Sequence, residues 1–171
     1  MQSSTRPSAR TGQDHPEPDA QLSAELAAVV AGARRRAVRG GDGQIDTAHL
    51  LHSLLEYEPA VRDVFSRVGG GDQVARLLGY LVQRSIGYGL RWQGTVEDSG
   101  AVPVVREAAG WSPAAASAMS AALLLARGRG DVRASGLDLL AALVRDGECR
   151  AVEVLRRGGV EAGDVVRGIA G

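Results

Sequence analysis

The side chains best suited to chemistry are two histidines three residues apart, His49 and His52, and a single cysteine, Cys149. Residues three apart on a helix share a face, so the pair could hold a metal ion. No carboxylate or cysteine is placed to complete such a site, and a helix-stabilising or surface role stands against it. Cys149 acting as nucleophile with His49 as its base would make a small helical hydrolase. Only Arg150 and a nearby helix start could lower its pKa, and the competing reading is a small residue at a helix terminus. The run Arg34-Arg35-Arg36, with Arg39, could touch phosphate. With no aromatic interleaving it reads better as a solvated helix face. Trp111 is either a staple on the core or a half-exposed anchor in a ligand groove. Trp92 is a lid or plain surface. Gly87 and Gly89 follow no strand, so they signal a helix stop rather than a phosphate loop.

Composition narrows the function classes. The 20 basic residues, all arginine, balance 20 acidic ones, so the formal net charge is zero. No global field draws the chain to nucleic acid or to a membrane surface. The absence of lysine removes a standard Walker A loop, whose Lys must reach the nucleotide phosphates. One cysteine allows no intramolecular disulfide and no multi-cysteine metal centre, which suits a cytoplasmic setting. No cofactor is implied. The first twenty residues carry no apolar signal-peptide core and read as a disordered tail, 1–20. The chain is long enough for one domain, 21–171, with a real core.

The elements that must position these residues are helices throughout. Ser23 caps a first segment running to about Val38, with Leu26, Val29, Val30, Ala33 and Ala37 inward. Gly40 to Gly43 stop it. Asp46 or Thr47 caps a second, whose apolar face is Leu50, Leu51, Leu54 and Leu55. Pro59 opens a third at a position where proline is tolerated, with Val61, Val64, Phe65 and Val68. Asp72 starts a fourth, with Val74, Leu77, Leu78, Leu81 and Val82 inward. The stretch 87–110 is irregular and reads as a linker, with a helical turn expected over Val102 to Ala109. Ser112 then caps and Pro113 opens a fifth helix, with Met119, Leu123 and Ala126 inside. Ser135 is again a cap, followed by Leu139, Leu140 and Leu143. Val152 to Leu155 and Val160 to Ile169 give the last two helices. No segment alternates long enough to be a strand.

The second half repeats the first at a constant offset of 89 positions, Leu22 lying over Trp111 and Asp42 over Asp131. Ile45 to Leu55 lies over Ala134 to Val144. After one extra residue in the second copy, Val64 to Arg67 lies over Val154 to Arg157. A doubled supersecondary unit follows: repeat one 21–86, the linker 87–110, and repeat two 111–171. The expected architecture is an all-α, pseudo-twofold bundle of about eight helices, built as two tandem four-helix repeats.

In this order and spacing the motifs resemble the Clp N-terminal domain, or Clp R domain, of the ClpC and ClpA type of AAA+ unfoldases. Ile45-Asp46-Thr47-Ala48-His49-Leu50-Leu51 is similar to that family's Ile-Gly-Thr-Glu-His-Ile-Leu. Gly110-Trp111-Ser112-Pro113 is similar to its Pro-Phe-Thr-Pro. The resemblance covers about Gln21 to Gly171 and implies a docking platform for adaptors and substrates, not an enzyme, here without ATPase modules. It further implies a groove framed by the first and fifth helices, which in actinobacterial relatives receives cyclic peptide antibiotics. The groove residues carried over are Leu22, Ser23, Ala27, Val30, Trp111, Ser112, Ala116 and Met119. Trp111 stands for the groove's usual Phe. The partner Phe falls near Asp19, and the groove cations fall on Ala27 and Ala116, so a ligand would be held by apolar contact. The acidic residues of the family's phosphoarginine pockets fall on Ala48 and Leu137. A guanidinium needs a carboxylate partner, so phosphoarginine recognition does not carry over. Thr47 is kept in one copy and becomes Gly136 in the other; His49 becomes Asp138.

The expected partner is a peptide, a protein segment or a peptide-like natural product, with a Clp unfoldase or its clients in view, and neither nucleic acid nor membrane. Two versions of a binding role stand side by side: an adaptor or regulator of Clp-dependent proteolysis, and a decoy that sequesters an antibiotic directed at ClpC. The rival of another class is the Cys149/His49 hydrolase. A domain whose binding has decayed, kept as part of a complex, is a further alternative.

Overall fold

The computed structural model describes residues 18–86, 97 and 110–171, and among them it is all-helical. A 3-10 turn, Pro18–Gln21, leads into α1 (Ala24–Arg39), α2 (Thr47–Tyr57), α3 (Pro59–Gly69) and α4 (Gln73–Ile86). The second copy supplies α5 (Pro113–Gly128), α6 (Gly136–Arg145), α7 (Arg150–Arg157) and α8 (Ala162–Ala170). None of the described helices is long and apolar enough to cross a membrane. Residues 1–17, Trp92, the Gly87/Gly89 pair and the turn expected over 102–109 lie outside the described residues.

The helices begin where local chemistry satisfies their free N–H groups. Ser23 Oγ accepts the Leu26 N–H at 3.1 Å, and Ser112 Oγ accepts the Ala115 N–H at 3.1 Å. At α2 and α6 the cap is reciprocal. Asp46 accepts from the His49 N–H while the His49 ring accepts the Asp46 N–H; Ser135 and Asp138 repeat the exchange. Pro59 and Pro113 stand at the first turn of their helices, where no donor is lost. The turns after α1 and α5 are the same turn twice. Gly41 and Gly130 take positive φ angles of 68° and 82°, and Asp42 and Asp131 N–H donate to the Ala37 and Ala126 carbonyls at 2.9 Å.

One core serves both copies. α2 is central: Thr47 to Leu55 is buried on every side. It packs on α1, α3, α4, α5, α6 and α7, while α8 packs on α3, α6 and α7. Alanine sets the spacing of α5 on α6. Its inward face is Ala115, Ala118, Ala122 and Ala126, whereas Met119 and Leu123 sit at the edge of the core. The expectation of Met119 and Leu123 inside is thus corrected: helices approach more closely over small side chains, so the alanine stripe takes the contact. Val30 likewise lies at the edge of the core, and Val82 is 44% exposed rather than inward.

Candidate functional site

The lead-ins to α1 and α5 are exchanged between the copies. Leu22 pairs in a single parallel bridge with Ala134, and Trp111 with Ile45. Around the first, Ser23 N–H donates to Ala134 O and Ala134 N–H to Gln21 O, both at 2.8 Å. Around the second, Ser112 N–H donates to Ile45 O at 2.8 Å and Ile45 N–H to Gly110 O at 2.7 Å. Each long helix is therefore seated by the turn before the other copy's second helix. Of the candidate groove residues, Leu22 and Ser112 are buried; Ser23, Ala27, Val30, Trp111, Ala116 and Met119 are half-buried. The bridges hold Leu22 and Trp111 each against the opposite copy.

The strongest polar centre was not among the sequence candidates. Glu97, from the sequence between the copies, is buried, and its carboxylate accepts from four donors. These are the Thr47 N–H (2.8 Å), the Thr47 hydroxyl, the Ser112 hydroxyl (2.9 Å) and the Arg150 N–H (2.7 Å). Thr47 and Arg150 are the first residues of α2 and α7, so a negative charge sits where two helix dipoles favour it. Thr47 Oγ1 accepts from the Ala151 N–H at 3.0 Å, and Arg150 Nη1 reaches Asp46 Oδ2 at 2.9 Å. Glu58 plays the matching part in the other half. Burial pushes its carboxyl above the usual carboxylate range, and the backbone N–H groups of Ala60 and Gly136 oppose the rise. Gly136 stands where Thr47 stands in the first copy, and a Cβ there would meet Glu58 Cγ at 2.5 Å. The Thr47–Gly136 difference seen in the repeat thus marks which carboxylate each half uses.

His49 and His52 are buried, which corrects the surface alternative, while the helix-stabilising one holds for His49, whose ring closes the capping box of α2. The His49 ring accepts the Asp46 N–H through Nδ1 at 3.0 Å and lies 2.8 Å from Asp42 Oδ2 through Nε2. Both ring nitrogens are engaged, Nδ1 at the cap of α2 and Nε2 at the turn after α1. His52 Nε2 faces Glu56 at 3.5 Å. Asp138, in the place of His49, binds Arg129 instead. Burial pushes its carboxyl up, but the Arg129 guanidinium and the Ser135 N–H and hydroxyl outweigh that and hold it below its ordinary value. Cys149 is the N-cap residue of α7, and its thiol donates to Leu143 O at 3.4 Å. Burial pushes that thiol up to about 11, against opposing bonds from Val152 N–H and the Thr47 hydroxyl. A nucleophile needs the reverse shift, and His49 has no ring nitrogen to spare as its base. Of the arginine run, Arg34 and Arg35 are exposed, while Arg36 pairs with Glu56. Ala48 is fully buried and Leu137 half-buried, so neither supplies a carboxylate to a guanidinium.

A bundle of two four-helix copies, with reciprocal lead-ins and polar groups engaged at helix starts, defines a Clp-type N-terminal domain. The sequence matches the Clp repeat (R) N-terminal domain family over residues 21–158, and the chain belongs to that family. A comparison with curated protein sequences finds no match. Solved structures share the fold at low identity. The N-terminal domain of the caseinolytic-protease-associated chaperone ClpD from Arabidopsis thaliana has a TM-score of 0.63 at 15% identity, with 88% of this chain and 92% of that one covered. The Hsp104 N-terminal domain from Candida albicans gives 0.66 at 10% identity, covering 87% and 89%. A structure from a malarial protein secretion system gives 0.61 at 13% identity, covering 88% and 92%.

Proposed function

We propose that the chain is a non-catalytic docking module for a peptide or protein segment, acting as an adaptor or regulator of Clp-dependent proteolysis. The observation that carries this reading is the pair of symmetry-related helix starts, each fixed by backbone bonds to the opposite copy. Beside them stand the half-buried apolar side chains Ala27, Val30, Trp111, Ala116 and Met119. Fixed backbone with partly exposed apolar anchors is what a docking surface requires, since little ordering free energy is lost on binding. With alanine at positions 27 and 116, apolar contact rather than charge holds the ligand. Leu22, Ser23 and Ser112 shape the two starts.

The test uses purified components: a Clp unfoldase with its protease, a fluorescent client, and this chain at increasing concentration. The degradation rate changes in a dose-dependent way, and Met119→Asp removes the effect. A rate that stays flat at saturating chain would overturn the adaptor role. Half-exposed Trp111 favours one second reading, a decoy for a cyclic peptide that binds ClpC. In that case the chain protects the unfoldase from the peptide without altering degradation in its absence.

A further inference from the structure

The internal repeat exposes a difference between the halves. In the first, the crevice between α1 and the end of α2 is filled from within. The Tyr57 ring lies against Gly32, where a Cβ would meet Cε2 at 2.7 Å, and its hydroxyl accepts from Arg35 Nη2 at 3.4 Å. The Glu58 side chain closes the inner end over Gly136. At the corresponding positions of the second half stand Asp146 for Tyr57, Gly147 for Glu58, Ala121 for Gly32 and Leu124 for Arg35. None of these refills the space. A crevice of about 340 Å³ opens between α5, the end of α6 and the turn into α7, with Ala114, Ala118, Ala121, Ala142 and Leu143 among its walls. Cys149 lines it as well, a buried thiol kept neutral and therefore an apolar surface.

We infer that this crevice is a pocket for one aromatic side chain, presented by the protein segment that docks on the domain. The inference rests on the docking reading and adds a second, separate anchor point to it. Tyr57 shows what size of group the matching space takes. Ser117, Arg145 and Asp146 also line the crevice, so it offers polar partners to a hydroxyl as Arg35 does to that of Tyr57. Aromatic rings contribute large buried areas to interfaces from such positions.

The experiment is a methyl NMR titration of the full chain with N-acetyl-phenylalanine amide, N-acetyl-tyrosine amide and N-acetyl-alanine amide. The phenylalanine probe should shift the Ala118, Ala121 and Ala142 methyl signals saturably. The tyrosine probe should shift the same signals, and the alanine probe should do nothing. The double variant Ala121→Gly/Asp146→Tyr gives the second half the filler of the first and should abolish the shifts. Absent shifts in the wild type, or shifts that survive the double variant in a folded protein, would each overturn the pocket. Docking at the helix starts is read separately, from Met119 and Trp111 signals with a long unfolded polypeptide, so either idea can fail alone.

Discussion

Cys149 shows how a residue's address decides its chemistry. As the N-cap of α7 it packs under Leu143, and its thiol proton points to a carbonyl. Low thiolate content follows: at pH 8 a thiol reagent should react about a hundredfold more slowly than with a cysteine in an unfolded peptide. Equal rates would contradict the burial. The linkage has a definite sign. A thiol raised from 9.0 to about 11 contributes stability that is whole below pH 9 and is lost as pH rises toward 11. Cys149→Ala should flatten that alkaline limb of a denaturation profile. The terminal role of Cys149 was legible from its neighbours in sequence. The burial of His49 and His52 was not, because helices distant in sequence cover α2, and spacing along one helix does not report what covers it.

At the scale of the helix, the two carboxylates explain how the copies are joined. Glu97 ties the first residues of α2 and α7 and the cap of α5 into one cluster. Glu97→Gln leaves a carboxamide N–H₂ facing donors, so the urea midpoint should fall by an amount worth about 2 kcal/mol. An unchanged midpoint would mean the cluster contributes nothing net. Gly136→Ala should cost about 1–3 kcal/mol by expelling Glu58 from its place, whereas Gly163→Ala on α8, where a Cβ would make only ordinary contact with Arg167 Nη1 at 3.6 Å, should not. Caps, glycine turns and proline starts were readable in advance because they are local. Glu97 was not. It lies in a stretch of sequence without periodicity, and its value comes from donors 50 and 53 residues away. The one available signal was the Thr47–Gly136 mismatch between otherwise matching copies.

Over the whole molecule, the halves are a repeat in sequence but one unit in folding. α2 and α8 each pack on helices of the other copy, and the lead-in bridges cross between copies. Urea unfolding should therefore give one transition, coincident by circular dichroism and tryptophan fluorescence. Residues 111–171 alone should not fold; a separate, cooperatively melting second half would refute the shared core. This architecture was legible because a doubled helical pattern with matching caps leaves few packings open. The inward face of α5 was less so, since a stripe of alanines competes with Met119 and Leu123 and only the distance to α6 decides. The central claim is that the two seated helix starts form a docking surface. Fluorescence of Trp111 in a Trp92→Phe background, titrated with reduced, carboxymethylated lactalbumin as a permanently unfolded segment, addresses it most directly. The account predicts a saturable spectral change, weakened about tenfold by Met119→Asp, an anchor-sized loss. A flat titration with the fold intact by circular dichroism would contradict it.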